Sequence, residues 1–429
     1  MHPLLRLPYA ALGWSADGLA RLPLRGEGKI ARSLRARRDA VAKLVAWAET
    51  HRDRSRPLVW MHAPSVGEGL QARPVLERMR ARHPEWQLLY THFSPSAERL
   101  AASLNVDGHG YLPFDRAVHA TRLFESLHPS ALVFAKLDVW PVLTEAAAAH
   151  GIPVAVVSAT MSVRSGRRGH VARALSRDAF ASLSRVGAVD ASDAERLVAT
   201  GVRRDAISVT GDTRYDQVAA RAASVRFDAA PLAALRSDRP TLVAGSTWPA
   251  DERELLPAWR ALRERVPDAR LIIAPHEPTA THCAPIERWA RDAGLSLAAI
   301  DVATAETDVV LVNKVGVLGD LYVLATAAFV GGGFHAAGLH SVLEPAAFGS
   351  PVLFGPRCDA SRDAVLLQQC KGAESLRNTD ELARALRILL TETDTRARAG
   401  RAARQLVDAG LGASDASVAL VEALVRQPR

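Results

Sequence analysis

Short apolar runs alternate with amphipathic segments along most of the chain. The runs predict buried strands at residues 58–61, 86–91, 110–113, 131–135, 154–158, 186–188, 241–244, 269–274, 309–312 and 352–354. Continuous apolar character is typical of strands covered on both faces, and the segments between the runs carry apolar residues at helical spacing. The pattern therefore predicts an α/β fold with parallel sheets. Because two such series follow one another, the second from near Ile207, we expect two Rossmann-like domains that face a central cleft, with ligands at the carboxyl ends of the strands.

A glycine-rich turn joins a predicted strand that ends at Val330 to a predicted helix over residues 342–348. The three glycines at 331–333 let the backbone turn tightly and approach a ligand closely. Free amides and a helix N-terminus both favour an anion, so the turn is a candidate phosphate site, although a plain structural turn explains the glycines equally well. Glu344 favours a nucleotide, because a carboxylate at this position can accept hydrogen bonds from ribose hydroxyls.

Polar groups follow other predicted strands. Glu68 lies just before or within the first turn of a helix, where it is either a capping carboxylate or a general base. Ser246 and Thr247 follow the strand at 241–244, either as an N-cap pair or as donors to a phosphate. His276 comes after Pro275 at another strand end and is either a structural histidine or a ligand-binding group.

Three further charged residues are open to two interpretations. Lys136 and Asp138 close a strand beside Trp140, as an exposed ion pair or as part of the site. Arg214 either binds an acid group or bridges the domains. No Asp-x-Asp motif follows a predicted strand, and no carboxylate pair of the hydrolase type is apparent. Phosphate sites with one candidate base predict transfer from a nucleotide donor without a metal.

Composition is that of an ordinary globular protein. Apolar residues make up 48% and charged residues 23% of the chain, which allows large cores. The three cysteines, Cys283, Cys358 and Cys370, are scattered, with no Cys-x-x-Cys pair. This distribution argues against a disulfide framework or a structural zinc site and indicates a reducing compartment.

Positive charge is concentrated near the N-terminus. Residues 25–56 contain ten Lys or Arg against four Asp or Glu, which is +6 of the formal net charge of +8. The stretch is either a solvated helix face or a surface that attracts anionic lipid headgroups. Its only aromatic residue is Trp47, so base stacking, and with it nucleic-acid binding, is disfavoured.

The first residues do not predict a membrane span. Residues 3–24 are biased to apolar types but are interrupted by Arg6, Asp17, Arg21 and three prolines, whereas a spanning helix needs about 20 mostly apolar residues. An interfacial helix or a packed helix is the better prediction. The segment lacks the cleavage pattern of a signal peptide.

Eight motifs, in this order, resemble the 3-deoxy-D-manno-octulosonic acid (Kdo) transferase family of lipopolysaccharide synthesis. They are HAPSVGEG (62–69), THFSPSAE (91–98), YLPFD (111–115), FAKLDVWP (134–141), GDTRYD (211–216), AGSTWPADE (244–252), IIAPHEP (272–278) and GGGFHAAGLHSVLEPAAFGSPVLFGP (331–356). Each motif alone is modestly specific, whereas the ordered set is highly specific. The resemblance implies a GT-B fold and an inverting, metal-independent transfer of Kdo to the lipid A disaccharide precursor, lipid IVA. CMP-Kdo would be the co-substrate, and no cofactor is implied.

The resemblance also implies roles for individual residues. Glu68 of the SVGE segment matches the family's proposed general base, which would deprotonate the acceptor's primary hydroxyl as C2 of Kdo is attacked. Arg214 matches a basic position of the hinge motif, and Glu344 matches the carboxylate placed for the CMP ribose. The implied donor-binding residues are Ser246, Thr247, His276, Gly332, Gly333, His340, Ser341 and Glu344.

Two motifs depart from the family pattern. The usual Gly-His-Asn of the phosphate turn is Leu339-His340-Ser341, so a hydroxyl replaces a side-chain amide. The usual Glu-x-Glu before Leu-Trp-Pro is Lys136-Leu137-Asp138, which changes the local charge and leaves the roles of Lys136 and Asp138 open.

The expected organisation has four parts. These are a basic membrane-proximal segment (1–56), an acceptor-binding domain (57–206), a CMP-sugar donor-binding domain (207–405) and a C-terminal helix that packs back on the N-terminal domain (406–429). We expect the protein at the cytoplasmic face of the inner membrane, held peripherally or weakly through its N-terminus. Two alternatives stay open: another GT-B enzyme that uses a UDP-sugar, as a transferase or an epimerase, and a non-catalytic nucleotide-sugar-binding protein.

Overall fold

The computed structural model describes residues 1–22, 28–162 and 169–426. The chain divides into two compact units. The first unit comprises Met1–Gln217 and Leu411–Arg429, and the second comprises Val218–Gly410. The chain therefore leaves the first unit once and returns to it for the last helix.

The first unit is built on a parallel sheet of seven strands, in the order β3-β2-β1-β4-β5-β6-β7. The strands are β1 (Leu58–His62), β2 (Gln87–His92), β3 (Gly108–Tyr111), β4 (Ala131–Ala135), β5 (Val154–Ala159), β6 (Arg185–Ala188) and β7 (Ile207–Val209). Its helices are α1 (Pro3–Arg21), α2 (Lys29–Arg38), α3 (Ala40–His51), α4 (Val66–Arg82), α5 (Glu98–Ser103), α6 (Ala117–Leu127), α7 (Pro141–Ala149), α8 (His170–Ala181), α9 (Ala191–Val198), the first part of α10 (Thr213–Ser224) and α19 (Ala413–Val425). Successive strand residues face opposite cores. Trp60 packs with α3, α6 and α7, whereas Met61 packs with α4 and α19.

The second unit also holds a parallel sheet of seven strands, in the order β10-β11-β9-β8-β12-β13-β14. The strands are β8 (Thr241–Thr247), β9 (Arg270–Pro275), β10 (Leu297–Ala299), β11 (Val309–Leu311), β12 (Ala327–Val330), β13 (Val352–Phe354) and β14 (Ala373–Ser375). Its helices are the rest of α10, α11 (Leu232–Leu235), α12 (Pro249–Arg263), α13 (Ala280–Asp292), α14 (Leu318–Leu321), α15 (Leu343–Ala347), α16 (Arg362–Gln369), α17 (Thr379–Thr391) and α18 (Thr393–Ala409). Leu242 packs with α12 and α17 on one face, and Val243 packs with α11 on the other. The prediction of two α/β units with parallel sheets is confirmed.

Each sheet has a point at which the direction of strand addition reverses. This point lies between β1 and β4 in the first sheet and between β8 and β12 in the second. Ligands of such sheets bind outside the carboxyl ends of the strands next to this point. The loops that follow β1, β4, β8 and β12 are therefore the places to look for chemistry.

Two predicted domain boundaries differ from the structure. Ile207–Val209 forms β7 and pairs with β6, so the first unit continues to Gln217 and does not end at residue 206. The second unit ends at Gly410 rather than at residue 405. The hydrophobic pattern also fails to predict β7, β10 and β14, because none of their residues is fully buried and they lack the continuous apolar character of the strands inside the sheets.

The last helix, α19, packs on α4 within the first unit. Asp216 accepts hydrogen bonds from the amides of Gly412 (2.9 Å) and Ser414 (2.6 Å), which fixes the N-terminus of α19. Arg78 Nε of α4 lies 2.9 Å from Asp415 Oδ2, and His83 Nε2 lies 2.6 Å from Glu422 Oε1. These contacts hold α4, the helix that follows β1.

Polar contacts attach helix α1 to the rest of the first unit. The Tyr9 hydroxyl donates to Asp115 Oδ2 (2.8 Å), and buried Asp17 pairs with Arg116. In the described ranges, no helix combines the length and the apolar character that crossing a membrane requires.

Candidate functional site

Glu68 lies after β1, in the first turn of α4. Its side chain is 21% exposed, and its Oε1 lies 3.4 Å from Lys136 Nζ. The Ser65 hydroxyl, at the N-cap of the helix, donates a hydrogen bond to Glu68 Oε2. Lys136 follows β4, so the two strands at the reversal point supply the two partners of this pair.

Opposing effects set the pKa of Glu68. Burial raises it, but the Ser65 hydrogen bond and the positive charge of Lys136 together lower it below the ordinary glutamate value. The carboxylate is therefore ionised at neutral pH, and in this form it can accept a proton. A merely capping glutamate needs no such lysine partner.

Lys136 has left-handed backbone geometry, with a φ of 59°. Such a conformation costs a residue other than glycine about 1–3 kcal/mol and persists only where the surroundings enforce it. Here the Lys136 amide donates to the carbonyl of Val157 on β5 (2.8 Å). In this backbone conformation, the ammonium group of Lys136 lies beside the Glu68 carboxylate.

Asp138 has different partners from Lys136, so of the two interpretations left open for these residues the structure does not support an ion pair between them. Its Oδ2 accepts from Trp140 Nε1 (3.0 Å) and lies 3.2 Å from Nε2 of buried His62. Thr91 Oγ1 accepts from Trp60 Nε1 (2.9 Å) and lies 3.1 Å from His62 Nδ1. Thr91 and Asp138 therefore contact the two ring nitrogens of His62 and fix the position of its ring at the end of β1.

Arg214 lies at the start of α10 and forms a two-point contact with Asp212. Its Nε and Nη2 atoms lie 2.9 and 2.7 Å from Asp212 Oδ2. Both residues belong to the first unit. The role of Arg214 in binding an acid group stays a prediction.

Arg37 is a residue of the first unit whose role sequence reasoning does not identify. It is 6% exposed, and its Nε and Nη2 atoms donate to the carbonyls of Leu112 (2.9 Å) and Pro113 (2.8 Å). Its guanidinium lies 4.2 Å from the ring centroid of Phe93 and 4.3 Å from that of Phe114. Burial lowers the pKa of Arg37 to about 10. Arg37 joins the loops that follow β2 and β3, so one member of the basic stretch is structural.

The glycine-rich turn of the second unit follows β12 and lies against the end of β8. A Cβ at Gly331 would collide with the Ser246 carbonyl oxygen, and Gly332 has a φ of 93°. The turn therefore requires glycine at both positions. Ser246 itself has a φ of 54°, a second strained residue next to a reversal point.

Asp251 binds the amides that were expected to hold a phosphate. Its side chain is 0% exposed and accepts hydrogen bonds from the amides of Gly332 (2.7 Å), Phe334 (3.0 Å) and Trp248 (2.9 Å). A chain segment of this kind, with alternate amides directed at one anion, is an anion nest. The prediction that Gly332 offers a free amide is wrong, because the anion in this nest is internal. Gly333 lies between the two engaged amides of the turn.

Ser246 and Thr247 do not cap a helix. Helix α12 begins at Pro249 with Trp248 at its N-cap. The Thr247 hydroxyl donates to Glu252 Oε1 (2.9 Å), and burial raises the pKa of that carboxyl. Among the described residues the Ser246 hydroxyl has no hydrogen-bond partner, so it is the member of this pair that is available to a ligand.

Four aromatic rings form a cluster that sequence reasoning identifies only in part. Trp248 stacks on His335, with centroids 4.2 Å apart and planes 8° apart, and on His276 at 4.6 Å. His276 in turn stacks on His340 at 4.4 Å. Burial and the neighbouring histidines lower the pKa of His340 to about 4, so its ring is neutral at pH 7.

Glu344 and Ser341 flank the start of α15. This helix covers only Leu343–Ala347, shorter than predicted, so its dipole contributes little. Burial raises the pKa of Glu344, although the charge of Arg221 opposes the rise. In the part of the chain that the structure describes, Glu344 makes no hydrogen bond or ion pair, whereas Ser341 is exposed.

Solved structures share this fold. The UDP-GlcNAc 2-epimerase of Neisseria meningitidis, solved with UDP-GlcNAc, has a TM-score of 0.64 at 14% identity, over 86% of this chain and 100% of that one. A glycosyltransferase of Rickettsia africae has a TM-score of 0.58 at 11% identity, over 87% of this chain and 100% of that one. The chain therefore has the GT-B fold.

Sequence comparison gives the family. The model for 3-deoxy-D-manno-octulosonic-acid transferase (kdotransferase) matches residues 34–217. The Bordetella pertussis 3-deoxy-D-manno-octulosonic acid transferase is 32% identical over 374 residues, which covers 83% of this chain and 85% of that protein. The enzyme of the same name from Haemophilus influenzae is 27% identical over 361 residues, covering 83% and 84%. This chain belongs to the 3-deoxy-D-manno-octulosonic acid (Kdo) transferase family.

Proposed function

We propose that this protein transfers Kdo from CMP-Kdo to the lipid A disaccharide precursor, with inversion at C2 of Kdo and without a metal ion. The observation that carries the proposal is the Glu68 carboxylate. It follows β1 at the reversal point of the first sheet, ionised and paired with Lys136. Family membership supports the reaction type, and the polar groups beside β8 and β12 support a nucleotide donor.

In the proposed reaction, the acceptor's primary hydroxyl oxygen attacks C2 of Kdo. The new bond is the one from this oxygen to C2, and the bond from C2 to the phosphate oxygen breaks, so that CMP leaves with the electron pair. Glu68 takes the hydroxyl proton and later releases it to water. The lowered pKa of Glu68 suits a transition state in which the proton leaves late, because the attacked carbon already carries positive charge.

Groups of the second unit would hold the donor. The Ser246 hydroxyl and neutral His340 supply hydrogen-bond donors beside the glycine-rich turn, and Glu344 supplies an acceptor for ribose hydroxyls. Since CMP is a good leaving group, catalysis needs placement of the reactants and stabilisation of the departing phosphate more than strong acid chemistry.

The test of this function is a mass measurement on the acceptor. CMP-Kdo is generated in the reaction mixture, a tetraacylated lipid A precursor is the acceptor, and CMP release is followed in parallel. The proposal requires CMP release together with a gain in acceptor mass of one or more Kdo units. A folded protein that binds UDP in preference to CMP and leaves the acceptor mass unchanged would instead support a UDP-sugar enzyme.

We also propose that α1 attaches the protein to an anionic membrane surface. Its exposed face is apolar, with Leu4 80%, Leu7 82%, Leu12 70% and Trp14 67% exposed. Its opposite face carries Tyr9 and Asp17, which contact Asp115 and Arg116 in the rest of the first unit. An apolar face turned outward is the arrangement of a helix that lies in a membrane interface. Arg32 and Arg38 of α2, 47% and 44% exposed, would add about 1 kcal/mol each near anionic lipid.

Vesicle sedimentation tests this attachment. The wild-type protein is expected to sediment with vesicles of phosphatidylglycerol and phosphatidylethanolamine, and the Leu7→Glu, Leu12→Glu double variant is expected to stay in solution. A matched Val171→Glu variant changes an exposed apolar residue of α8 and is expected to sediment like the wild type. Equal sedimentation of all three proteins would contradict the role of α1.

A further inference from the structure

We propose that Trp248 is a positioning residue that holds His340 in a single tautomer, so that His340 presents a neutral Nδ1–H donor to an anionic oxygen of the donor substrate. The proposal rests on the proposed function for the identity of that substrate. It concerns the second unit only. The sequence motifs assign no role to Trp248.

The tautomer follows from one hydrogen bond. Trp248 Nε1 lies 3.1 Å from His340 Nε2. An indole Nε1 is only a donor, so His340 Nε2 must be the acceptor and carries no proton. A neutral imidazole has one proton, which is then on Nδ1. Among the described residues Nδ1 has no hydrogen-bond partner, and its N–H is therefore available to a ligand.

The rest of the cluster keeps this ring neutral and in place. His276 stacks on His340 at 4.4 Å, and Trp248 stacks on both His276 and His335. The backbone amide of His340 donates to the Gly331 carbonyl (3.1 Å). The His340 ring is thus fixed beside the glycine-rich turn. Its neutral Nδ1–H group keeps its proton at pH 7 and is the donor offered to the ligand. A neutral N–H donor selects an acceptor oxygen by the position of that oxygen rather than by charge attraction.

His335 provides an internal contrast. The amide of Ala337 donates to His335 Nδ1 (3.1 Å), so neutral His335 carries its proton on Nε2. Two histidines stacked in one cluster are therefore expected to have opposite tautomers. A general effect of burial or of solvent would not produce this difference.

Nitrogen NMR on protein labelled with [15N]histidine reads the tautomers directly. Long-range proton–nitrogen spectra at pH 7, assigned with single His→Gln variants, are expected to show Nδ1–H for His340 and Nε2–H for His335. In Trp248→Phe, which keeps an aromatic ring and removes the N–H, His340 is expected to lose its Nδ1–H preference while His335 keeps its own. Trp289→Phe, at a half-buried tryptophan of α13, is the matched control and is expected to change neither. An unchanged His340 tautomer in Trp248→Phe would overturn the proposal.

Binding measurements identify the ligand oxygen. Loss of one hydrogen bond to a charged group is expected to weaken binding about 10- to 100-fold. If CMP binds Trp248→Phe more weakly by this factor, the oxygen belongs to the phosphate. If only the KM for CMP-Kdo rises, the oxygen belongs to the Kdo carboxylate. If neither changes, the proposal is overturned.

A double variant separates this role from simple packing. The His340→Asn substitution supplies an amide donor that needs no tryptophan to orient its proton. Trp248→Phe is therefore expected to weaken donor binding in the wild-type background and to have little further effect in His340→Asn. An equal loss in both backgrounds would overturn the positioning role. A wild type that binds neither CMP nor CMP-Kdo would instead overturn the proposed function, and the NMR result would still decide whether Trp248 sets the tautomer.

Discussion

Lys136 Nζ lies 3.4 Å from Oε1 of Glu68, at a position where the family pattern usually has glutamate. A second carboxylate would raise the pKa of Glu68, whereas the ammonium group lowers it. The local charge of the candidate base is therefore reversed in this chain relative to that pattern. Lys136, the partner with left-handed backbone geometry, lowers the pKa of Glu68 by its charge. Its removal is therefore expected to change the pH dependence of the reaction.

The acid limb of kcat/KM is expected to move to higher pH in Lys136→Met. The base acts in its ionised form, so activity falls as the pH drops through the pKa of Glu68. In the wild type this pKa lies below the ordinary value, and removal of the Lys136 charge raises it. Lys43→Met, at an exposed lysine of α3, serves as the control. An acid limb at the same pH in all three proteins would show that Glu68 does not limit the rate, or that Lys136 does not act on it.

Asp251→Asn is expected to lower the free energy of unfolding of the second unit by about 1–3 kcal/mol. One carboxylate oxygen accepts from Gly332 and Trp248 and the other accepts from Phe334. An Asn side chain has one acceptor, so at least one buried amide would face an NH2 group. Urea denaturation measures the loss, and Asp268→Asn, at an exposed aspartate, is the control. Equal midpoints for the two variants would contradict the internal anion nest.

Glu344→Gln is expected to weaken CMP binding about 5- to 30-fold, because an amide accepts ribose hydroxyls less well than a carboxylate. The same contact predicts a pH effect. The raised pKa of Glu344 means that wild-type affinity falls, as pH is lowered, at a higher pH than for an ordinary glutamate. Calorimetry with CMP and with its 2′- and 3′-deoxy analogues provides the check. If the Glu344→Gln variant still discriminates against the deoxy analogues as the wild type does, Glu344 does not bind the ribose.

Arg37→Met is expected to lower the free energy of unfolding by about 2–5 kcal/mol, since the carbonyls of Leu112 and Pro113 lose their donors in a buried region. Arg37→Lys is expected to restore only part of this, because an ammonium lacks the planar fork that stacks on Phe93 and Phe114. Arg38→Met changes a neighbouring, 44% exposed arginine and is expected to cost less than about 0.5 kcal/mol. Similar losses for Arg37 and Arg38 would contradict the structural role of Arg37.

Local pattern predicts those parts of the fold that depend on local residues. The apolar runs at 131–135 and 352–354 coincide with β4 and β13, because continuous apolar character suits strands buried on both faces. The position of Glu68 in the first turn of α4 and the need for glycine at 331 and 332 also follow from neighbours in sequence.

Contacts between distant residues are not predictable in this way. Asp251 is 81 positions from Gly332, and Arg37 is 75 positions from Leu112. A hydrophobic period shows which segments are buried, but it does not show which amide a buried carboxylate will meet. The glycine-rich turn therefore gives the right signal for an anion, while the anion bound by its Gly332 and Phe334 amides is the protein's own side chain.

The most direct test of the central claim is single-turnover transfer from CMP-Kdo to a tetraacylated lipid A precursor by Glu68→Gln, compared with Glu77→Gln on the same helix. Glu77 is 57% exposed and pairs only loosely with Arg73 (4.0 Å). With CMP binding unchanged in both, the Glu68 variant is expected to transfer Kdo about 10²- to 10⁴-fold more slowly than the wild type, and the Glu77 variant is expected to match the wild type. A folded, CMP-binding Glu68→Gln protein that gives the wild-type rate of acceptor mass gain would contradict the assignment of Glu68 as the base.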